Sequence, residues 1–484
     1  MTCKVIRIGV FFDGTGNNLF NDEAGASSNG VSNIGKLYRL YQNGQILKGQ
    51  KLTECEITVK AIYIEGVGTN AGKEDYSSGG AFGVLGGQRI NDALEKTTSI
   101  LQKYPHREYQ QQIDVFGFSR GAAMARDFIN TLAYNDELKY KIKFVGIFDT
   151  VGSFGLPGND KDWKPKTKDF SEGNVEILAR EIFNSEPSSK YYEKFNFNLS
   201  PQSAEQIVHF VAMDEYREKF PLTNTYGAGL TYEFIGAHSD VGGGYAAVEK
   251  EIIADVFDER KSKEENENLL SFSKNEVQIG ENWKCGLPLH FSPRYNMFAK
   301  QYCEGERTIT DDLQKVALIA MYRLAIKAGV PFKKNIHDKY PDIPEPNHPY
   351  STADFIDLDG ELMANMQSLG WSTELQNYCM TAARNITELH DFLNKGEKKT
   401  NGVQGRLRAY RNMTHLKIMA KYAHNSAGIF KTEVYLPSPL GFKHRVYSDN
   451  VDILKSPITR DSNTKIPIRN VFDNNPKMAI IKKG

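Results

Sequence analysis

Apolar and polar positions alternate along the first half of the chain in blocks with two different periods. Residues 5–12 are a nearly continuous apolar run (Val5, Ile6, Ile8, Val10, Phe11, Phe12), the pattern of a strand buried on both faces. Runs at 57–64, 112–118, 142–148, 207–213 and 232–237 repeat it, and segments near 32–42, 88–103 and 120–134 carry helical periodicity between them. Strands alternating with helices predict an α/β fold built on a mostly parallel sheet covered on both faces. From about residue 312 the pattern turns helical (312–328, 360–395, 404–424), and roughly the last 60 residues read as extended, with Pro437, Pro439, Pro457 and Pro467. Residues 1–300 are therefore read as an α/β domain with polar insertions at about 157–200 and 255–282. Residues 301–484 are read as a largely helical module with an irregular tail, available for membrane or partner contact. The aromatic stretch 178–200 (Phe183, Tyr191, Tyr192, Phe195, Phe197) is expected to form a lid or substrate wall, and the charged run 257–277 a solvated insertion.

Composition narrows this picture. The 484 residues suffice for a substantial core, and 60 basic against 60 acidic residues leave no basic field for nucleic acid. A mean hydropathy of −0.49 and the lack of an apolar run of about 18 residues speak against a spanning helix. The opening M-T-C-K-V-I-R-I-G-V-F-F-D reads as a strand and not as a signal peptide. Five scattered cysteines (Cys3, Cys55, Cys285, Cys303, Cys379) lack metal-ligand spacing and fit a protein made in a reducing cytoplasm without designed disulfides. Neither a metal nor another cofactor is expected.

The chemistry concentrates at the ends of the strands. Gly117-Phe118-Ser119-Arg120-Gly121 is a G-x-S-x-G between an apolar strand and an Ala-rich helix, the setting in which a serine is held on a strained turn with its hydroxyl exposed. Two other apolar strands end on titratable groups, Asp149 after 143–148 and His238 after 232–237, and open α/β sheets carry their sites at such carboxyl ends. The order Ser119, Asp149, His238 is that of α/β-hydrolases. A helix or turn cap would also explain Asp149, and a loop histidine His238. Asp214, at the end of the 207–213 strand, competes as the acid, and spacing leaves the two aspartates level. His209 lies inside an apolar strand and reads as a core histidine. The loop Asp13-Gly14-Thr15-Gly16 after the first strand suits an oxyanion hole, with the N–H of Gly14 complementing that of Arg120. Asp13 and Asp240 are expected to support the neighbouring loops.

Six motifs in order carry a resemblance beyond the elbow. F-F-D-G-T-G-N-N, G-V-G-T, G-F-S-R-G-A, G-I-F-D-T-V-G-S, H-F-V-A-M-D-E-Y-R-E-K-F-P and G-A-H-S-D-V-G-G-G-Y span about residues 5–245, and M-Y-R-L-A-I-K-A-G-V-P-F follows at 321–332. Together they resemble the α/β-hydrolase-like family that includes the class 1 type VI secretion lipase effectors of Gram-negative bacteria. The resemblance implies Ser119 as nucleophile, Asp149 rather than Asp214 as acid, and His238 as base. It also implies a phospholipase of A1 or A2 type acting on membrane glycerophospholipids. By the same resemblance the chain is made in the bacterial cytoplasm, travels on a secretion spike protein into a target periplasm, and is neutralised by an immunity protein. Nothing after about 335 matches. The residues alone leave open a general carboxylesterase, an inactive binding module and, more weakly, a metal hydrolase built from Asp13, Asp240 and His238.

Overall fold

The computed structural model describes residues 3–25, 30–48, 55–69, 82–152, 195–217, 220–257, 301–333, 359–382 and 469–482, with short pieces at 284–286, 336, 339–343, 404–405, 418, 422–424, 435–437 and 443–445. The apolar runs form strands β1 (Lys4–Phe12), β3 (Glu56–Ile64), β4 (Gln110–Phe118), β5 (Tyr140–Phe148), β6 (Gln206–Ala212) and β8 (Leu230–Phe234); the short β2 (Ile46–Lys48) and β7 (Leu222–Thr223) complete this part of the chain. The six long strands run parallel in the spatial order β8-β6-β5-β4-β1-β3. Strand β2 pairs antiparallel with β3 at one edge, and Gln404–Gly405 pairs with β8 at the other. The chain steps outward from β1 first to β3 and then, on the other side, to β4, so the winding reverses between β1 and β4. Ligand crevices of open α/β sheets form outside the carboxyl ends of the strands at such a reversal.

Side chains alternate across the strands and divide the core in two. Val10, Phe12, Val115, Val145 and Ile147 pack with Ile90 of helix α3 (Phe82–Lys103) and with Met124 and Phe128 of α4 (Arg120–Ala133). Their neighbours Phe11, Phe116, Phe144 and Phe148 face the other way, toward α2 (Asn33–Leu40), which follows the short α1 (Leu19–Glu23). Each such fully buried side chain contributes about 1.5–3 kcal/mol. The aromatic pair Phe195 and Phe197 packs on the α4 side, rings stacked at 5.9 Å, so these two residues belong to the core and not to an open wall. Phe183, Tyr191, Tyr192 and nearly all of 257–277 lie outside the described residues.

Two expectations need correction. Helix α6 (Asp312–Lys327) follows α5 (His238–Gly242), and residues 313–326 of α6 are buried throughout. Leu318, Met321, Tyr322 and Leu324 pack in one core with Phe116, Phe144 and Phe148 of the sheet. Gln314, Lys315 and Arg323 are buried along with the apolar residues, so the helix has no wet face and a division at residue 300 cuts through a single core. Second, the cysteines are not all unpaired: Cys3 and Cys55 form a disulfide. They stand just before β1 and β3, whose first residues Lys4 and Glu56 pair in register, so parallel pairing brings them together across 52 residues. Cys379 is free and buried. Among the described residues no helix is long and apolar enough to cross a membrane.

Candidate active site at the carboxyl edge of the sheet

Ser119 sits between β4 and α4 with φ 59° and ψ −127°, a conformation that L-residues rarely adopt and that local hydrogen bonds must hold. Its N–H donates to Phe148 O at 3.0 Å, and its carbonyl accepts from Val151 N at 3.2 Å. Gly121 is required beside it: a Cβ there would lie 2.3 Å from the carbonyl oxygens of Phe12 and Asp13, so only glycine lets the loop after β1 approach the elbow. The loop is fastened to the same helix by Arg120 Nε donating to Thr15 Oγ1 at 2.5 Å.

Register brings the acid alongside. Phe118 pairs with Phe148 and Phe148 with Phe210, so β4, β5 and β6 end nearly level. Asp149 follows β5 with φ 38°, and its N–H continues the ladder to Phe210 O at 2.7 Å. Its carboxylate is fully buried. Oδ1 accepts from Ala212 N at 2.9 Å, and Oδ2 meets His238 Nδ1 at 2.5 Å. Arg469 closes the set, donating from Nη1 to Oδ1 and from Nη2 to Oδ2, each at 2.7 Å. Burial alone would raise this carboxyl, but the Arg469 guanidinium and His238 outweigh it and hold it well below the usual carboxylate range.

His238 opens α5. Its ring lies between Phe118, at 4.6 Å between centroids, and Phe220, edge-on at 4.9 Å; Phe118 is the residue before Ser119. Gly242, one turn along α5, makes room for the same Phe118 ring, which a Cβ would meet at 1.9 Å. Burial pushes the His238 imidazole below its ordinary value against the pull of Asp149, so the neutral form is favoured. With Nδ1–H donating to Asp149, Nε2 is left to accept a proton. The His238 N–H donates to Glu215 Oε2 at 3.3 Å, and Glu215 forms a buried pair with Arg217.

The other aspartates occupy separate networks. Asp214 Oδ2 accepts from Gly236 N at 2.9 Å and Oδ1 from the Tyr216 hydroxyl at 3.2 Å, which ties the end of β6 to the loop after β8. Asp13 is buried at the start of the loop after β1, accepting from Ser32 Oγ and the Tyr63 hydroxyl, each at 2.6 Å. It also accepts from Gly14 N at 2.8 Å, so that N–H is engaged by Asp13. Asp240 accepts from Ala237 N at 2.8 Å and from His424, through Nδ1 at 2.7 Å and the backbone N–H at 2.9 Å. Asp13, Asp240 and His238 thus have different partners, and no group of three or more His, Cys, Asp or Glu is arranged to hold a metal among the described residues. His209 is buried between Thr150 and Thr225, each 3.1 Å from a ring nitrogen, and burial lowers its pKa to about 3.

Sequence reasoning did not find Arg469, His424 or the Glu215–Arg217 pair. The pair lies inside the D-E-Y-R motif and was legible as a motif without a role. Arg469 and His424 come from segments with no pattern of their own and join the site only through the fold.

Comparisons with known proteins bear on the family and the fold. The family described as type VI secretion phospholipase effector Tle1-like, catalytic domain, matches residues 7–135 and 130–263, more than half of the chain. Among solved structures, the Tle1 effector bound to the VgrG spike of the type VI secretion system is similar at 20% identity, over 98% of this chain and 94% of that one, with a TM-score of 0.53. An uncharacterized protein from Pseudomonas aeruginosa is similar at 20% identity over 80% of this chain and 53% of its own, with a TM-score of 0.39. No curated protein matches.

Proposed function

This chain belongs to the Tle1-like phospholipase effector family of type VI secretion, and we propose that it hydrolyses acyl esters of membrane glycerophospholipids by a serine mechanism carried by Ser119, Asp149 and His238. The observation that carries the reading is the 2.5 Å contact of Asp149 with His238 Nδ1 at the sheet edge where Ser119 occupies a strained elbow. His238 Nε2 takes the proton of Ser119 as Oγ attacks the ester carbonyl carbon, and Asp149 keeps the imidazole in the required tautomer and stabilises its charged form. The tetrahedral oxyanion is held by the N–H of Arg120 and by one from the loop 13–16; Gly14 serves there only when its bond to Asp13 is exchanged. Collapse breaks the ester bond, and the leaving alkoxide of the lysophospholipid takes the proton from His238. Water, deprotonated by His238, then releases the fatty acid from Ser119 and restores the hydroxyl.

Attack at either acyl position of the glycerol, A1 or A2, is compatible with this chemistry. The Tle1–VgrG complex suggests a spike protein as carrier for this chain as well, and the motif resemblance implies a cognate immunity protein as its antagonist. A target periplasm suits the Cys3–Cys55 disulfide, because disulfides persist in oxidising compartments. The test is Ser119→Ala, assayed on phosphatidylethanolamine–phosphatidylglycerol vesicles for fatty acid and lysophospholipid. Loss of both products, together with loss of fluorophosphonate labelling in a folded variant, is expected. Retained cleavage by folded Ser119→Ala overturns the mechanism.

A further inference from the structure

We propose that Arg469 is a positioning residue for the reaction: the C-terminal segment carries to the acid the guanidinium that fixes its carboxylate, so the site is complete only when that segment is docked. The proposal rests on the reading of Ser119, Asp149 and His238 given above.

The two oxygens of Asp149 leave little freedom to the arginine that binds them. Nη1 and Nη2 each donate at 2.7 Å, one to each oxygen, so the guanidinium grips the carboxylate at two points. The rest of the fork is anchored to the protein: Nε donates to Phe220 O at 2.8 Å and Nη1 also to Ala212 O at 3.3 Å. Phe220 is the residue whose ring packs edge-on against His238, so one arginine ties together the acid, the end of β6 and the wall of the imidazole. A lysine brings the charge but not the fork.

The segment that delivers Arg469 is held by polar contacts. Val471–Phe472 pairs parallel with β7, Leu222 N donates to Asn470 O at 2.8 Å, and Asn224 N donates to Phe472 O at 3.0 Å. Asn474 accepts from Leu199 N at 2.8 Å and donates to Leu199 O and Tyr226 O, both at 2.9 Å. Further along, Ile480 N donates to Asn130 Oδ1 at 2.7 Å, on the helix that begins at the nucleophile. Val471 is 48% exposed, so little apolar burial supports the docking. A strand of two residues held mainly by asparagines is a separable element that nonetheless reaches a fully buried carboxylate of the site.

Charge gives the arrangement a measurable signature. The charged groups around His238 are Asp149 with Arg469, Glu215 with Arg217, and, two residues along α5, Asp240 with His424; Asp214 and His209 lie on the adjoining β6 segment. Asp149 and Glu215 are each balanced by one guanidinium. Removing Arg469 leaves Asp149 with no cation and an excess of negative charge facing the imidazole. That raises the affinity of His238 for a proton and moves the acid limb of kcat/KM upward. Loosened acid geometry lowers kcat at the same time, with KM for a soluble ester little changed.

The experiment compares the full-length wild type, Ser119→Ala, Arg469→Ala, Arg469→Lys and Asn474→Ala on a soluble short-chain ester across pH, with thermal melts of each. Arg469→Ala is expected to lose roughly tenfold to hundredfold in kcat and to shift its acid limb up by about one pH unit. Arg469→Lys is expected to keep the limb of the wild type while losing several-fold in kcat, as the charge returns without the fork. Asn474→Ala, which weakens docking but keeps the guanidinium, is expected to melt earlier with its limb unmoved. A folded Arg469→Ala with the kcat and limb of the wild type overturns the proposal. Should Arg469→Ala fail to fold, full kcat in Arg469→Lys overturns it instead. Activity retained by Ser119→Ala breaks the underlying mechanism and is a distinct result.

Discussion

Two buried aspartate–imidazole pairs flank α5, and they differ in what else holds the acid. In one, Asp149 accepts from His238 Nδ1 and from both terminal nitrogens of Arg469. In the other, Asp240 accepts from His424 Nδ1 and from two backbone N–H groups, those of Ala237 and His424. Both carboxylates are removed from water, yet burial wins at Asp240, whose pKa is raised, while the Arg469 and His238 charges win at Asp149, whose pKa is depressed. The same two side-chain types therefore do different work. A carboxylate locked in its charged form can stabilise an imidazolium formed during a reaction. One satisfied by backbone donors caps the turn that carries His238 and ties it to a distant segment, against which the Tyr245 ring stacks at 3.5 Å.

The sharpest way to break this comparison is to neutralise each acid in turn. Asp149→Asn is expected to lower kcat by about 10³–10⁴-fold, because an amide cannot accept from all of its present donors and leaves the imidazole in the wrong tautomer. Asp240→Asn is expected to stay within about tenfold of the wild type in kcat, since its partners do not include His238. Steady-state kinetics on a soluble ester, with folding checked by circular dichroism, decides between them. Equal losses in both would mean that the Asp240 pair belongs to the chemistry as well.

What the sequence disclosed about these pairs follows from how local each interaction is. The elbow at Ser119 and the strand ends at Asp149 and His238 were readable because nearly continuous apolar runs mark β4, β5 and β8, and a polar residue ending such a run stands at the sheet edge. The choice of Asp149 over Asp214 was not readable from spacing. In the fold Asp149 meets His238, while Asp214 accepts from Gly236 N. Arg469 and His424 carry no local signal, since a guanidinium 320 residues from its carboxylate is placed by the packing of an extended segment. The apolar residues of α6 were visible, but apolar residues set amid basic ones fit a core and a membrane face equally until the sheet beneath the helix is known. Cys3 and Cys55 looked unrelated because their proximity is a consequence of parallel pairing between β1 and β3.

The Asp240 pair should register in stability. In Asp240→Asn one position that now accepts from Ala237 N and His424 N becomes a donor, or else the Nδ1 contact is lost. A buried mismatch of this kind costs about 1–3 kcal/mol. Urea denaturation should show that loss, and an unchanged midpoint would return Asp240 to the role of a bystander. Asp214→Asn should act more weakly, keeping one acceptor for Gly236 N or Tyr216 and costing about 1 kcal/mol, with kcat reduced no more than several-fold. A loss in Asp214→Asn comparable to that in Asp149→Asn would reassign the acid to the later strand.

The smallest effect concerns protons and separates the two imidazoles by function. A histidine titrating at about 6.5 would lose roughly threefold of its neutral fraction between pH 7 and pH 6. Burial depresses His238, so the folded enzyme keeps more of its imidazole neutral through that interval than a free histidine would, and kcat/KM on a soluble ester should fall by less than that factor. Stability carries the same sign: the unfolded chain binds the proton more readily than the folded one, so folding weakens as pH falls below about 6.5. His209, lowered to about 3 by its buried threonine pocket, adds to that loss over the range from about 6.5 down to 3 without contributing to the kinetics. His209→Gln should therefore flatten the dependence of stability on pH while leaving the acid limb of kcat/KM in place. A limb that moves with His209→Gln would make that histidine part of the proton inventory of the site, and a limb near 6.5 in the wild type would contradict the buried, neutral state of His238.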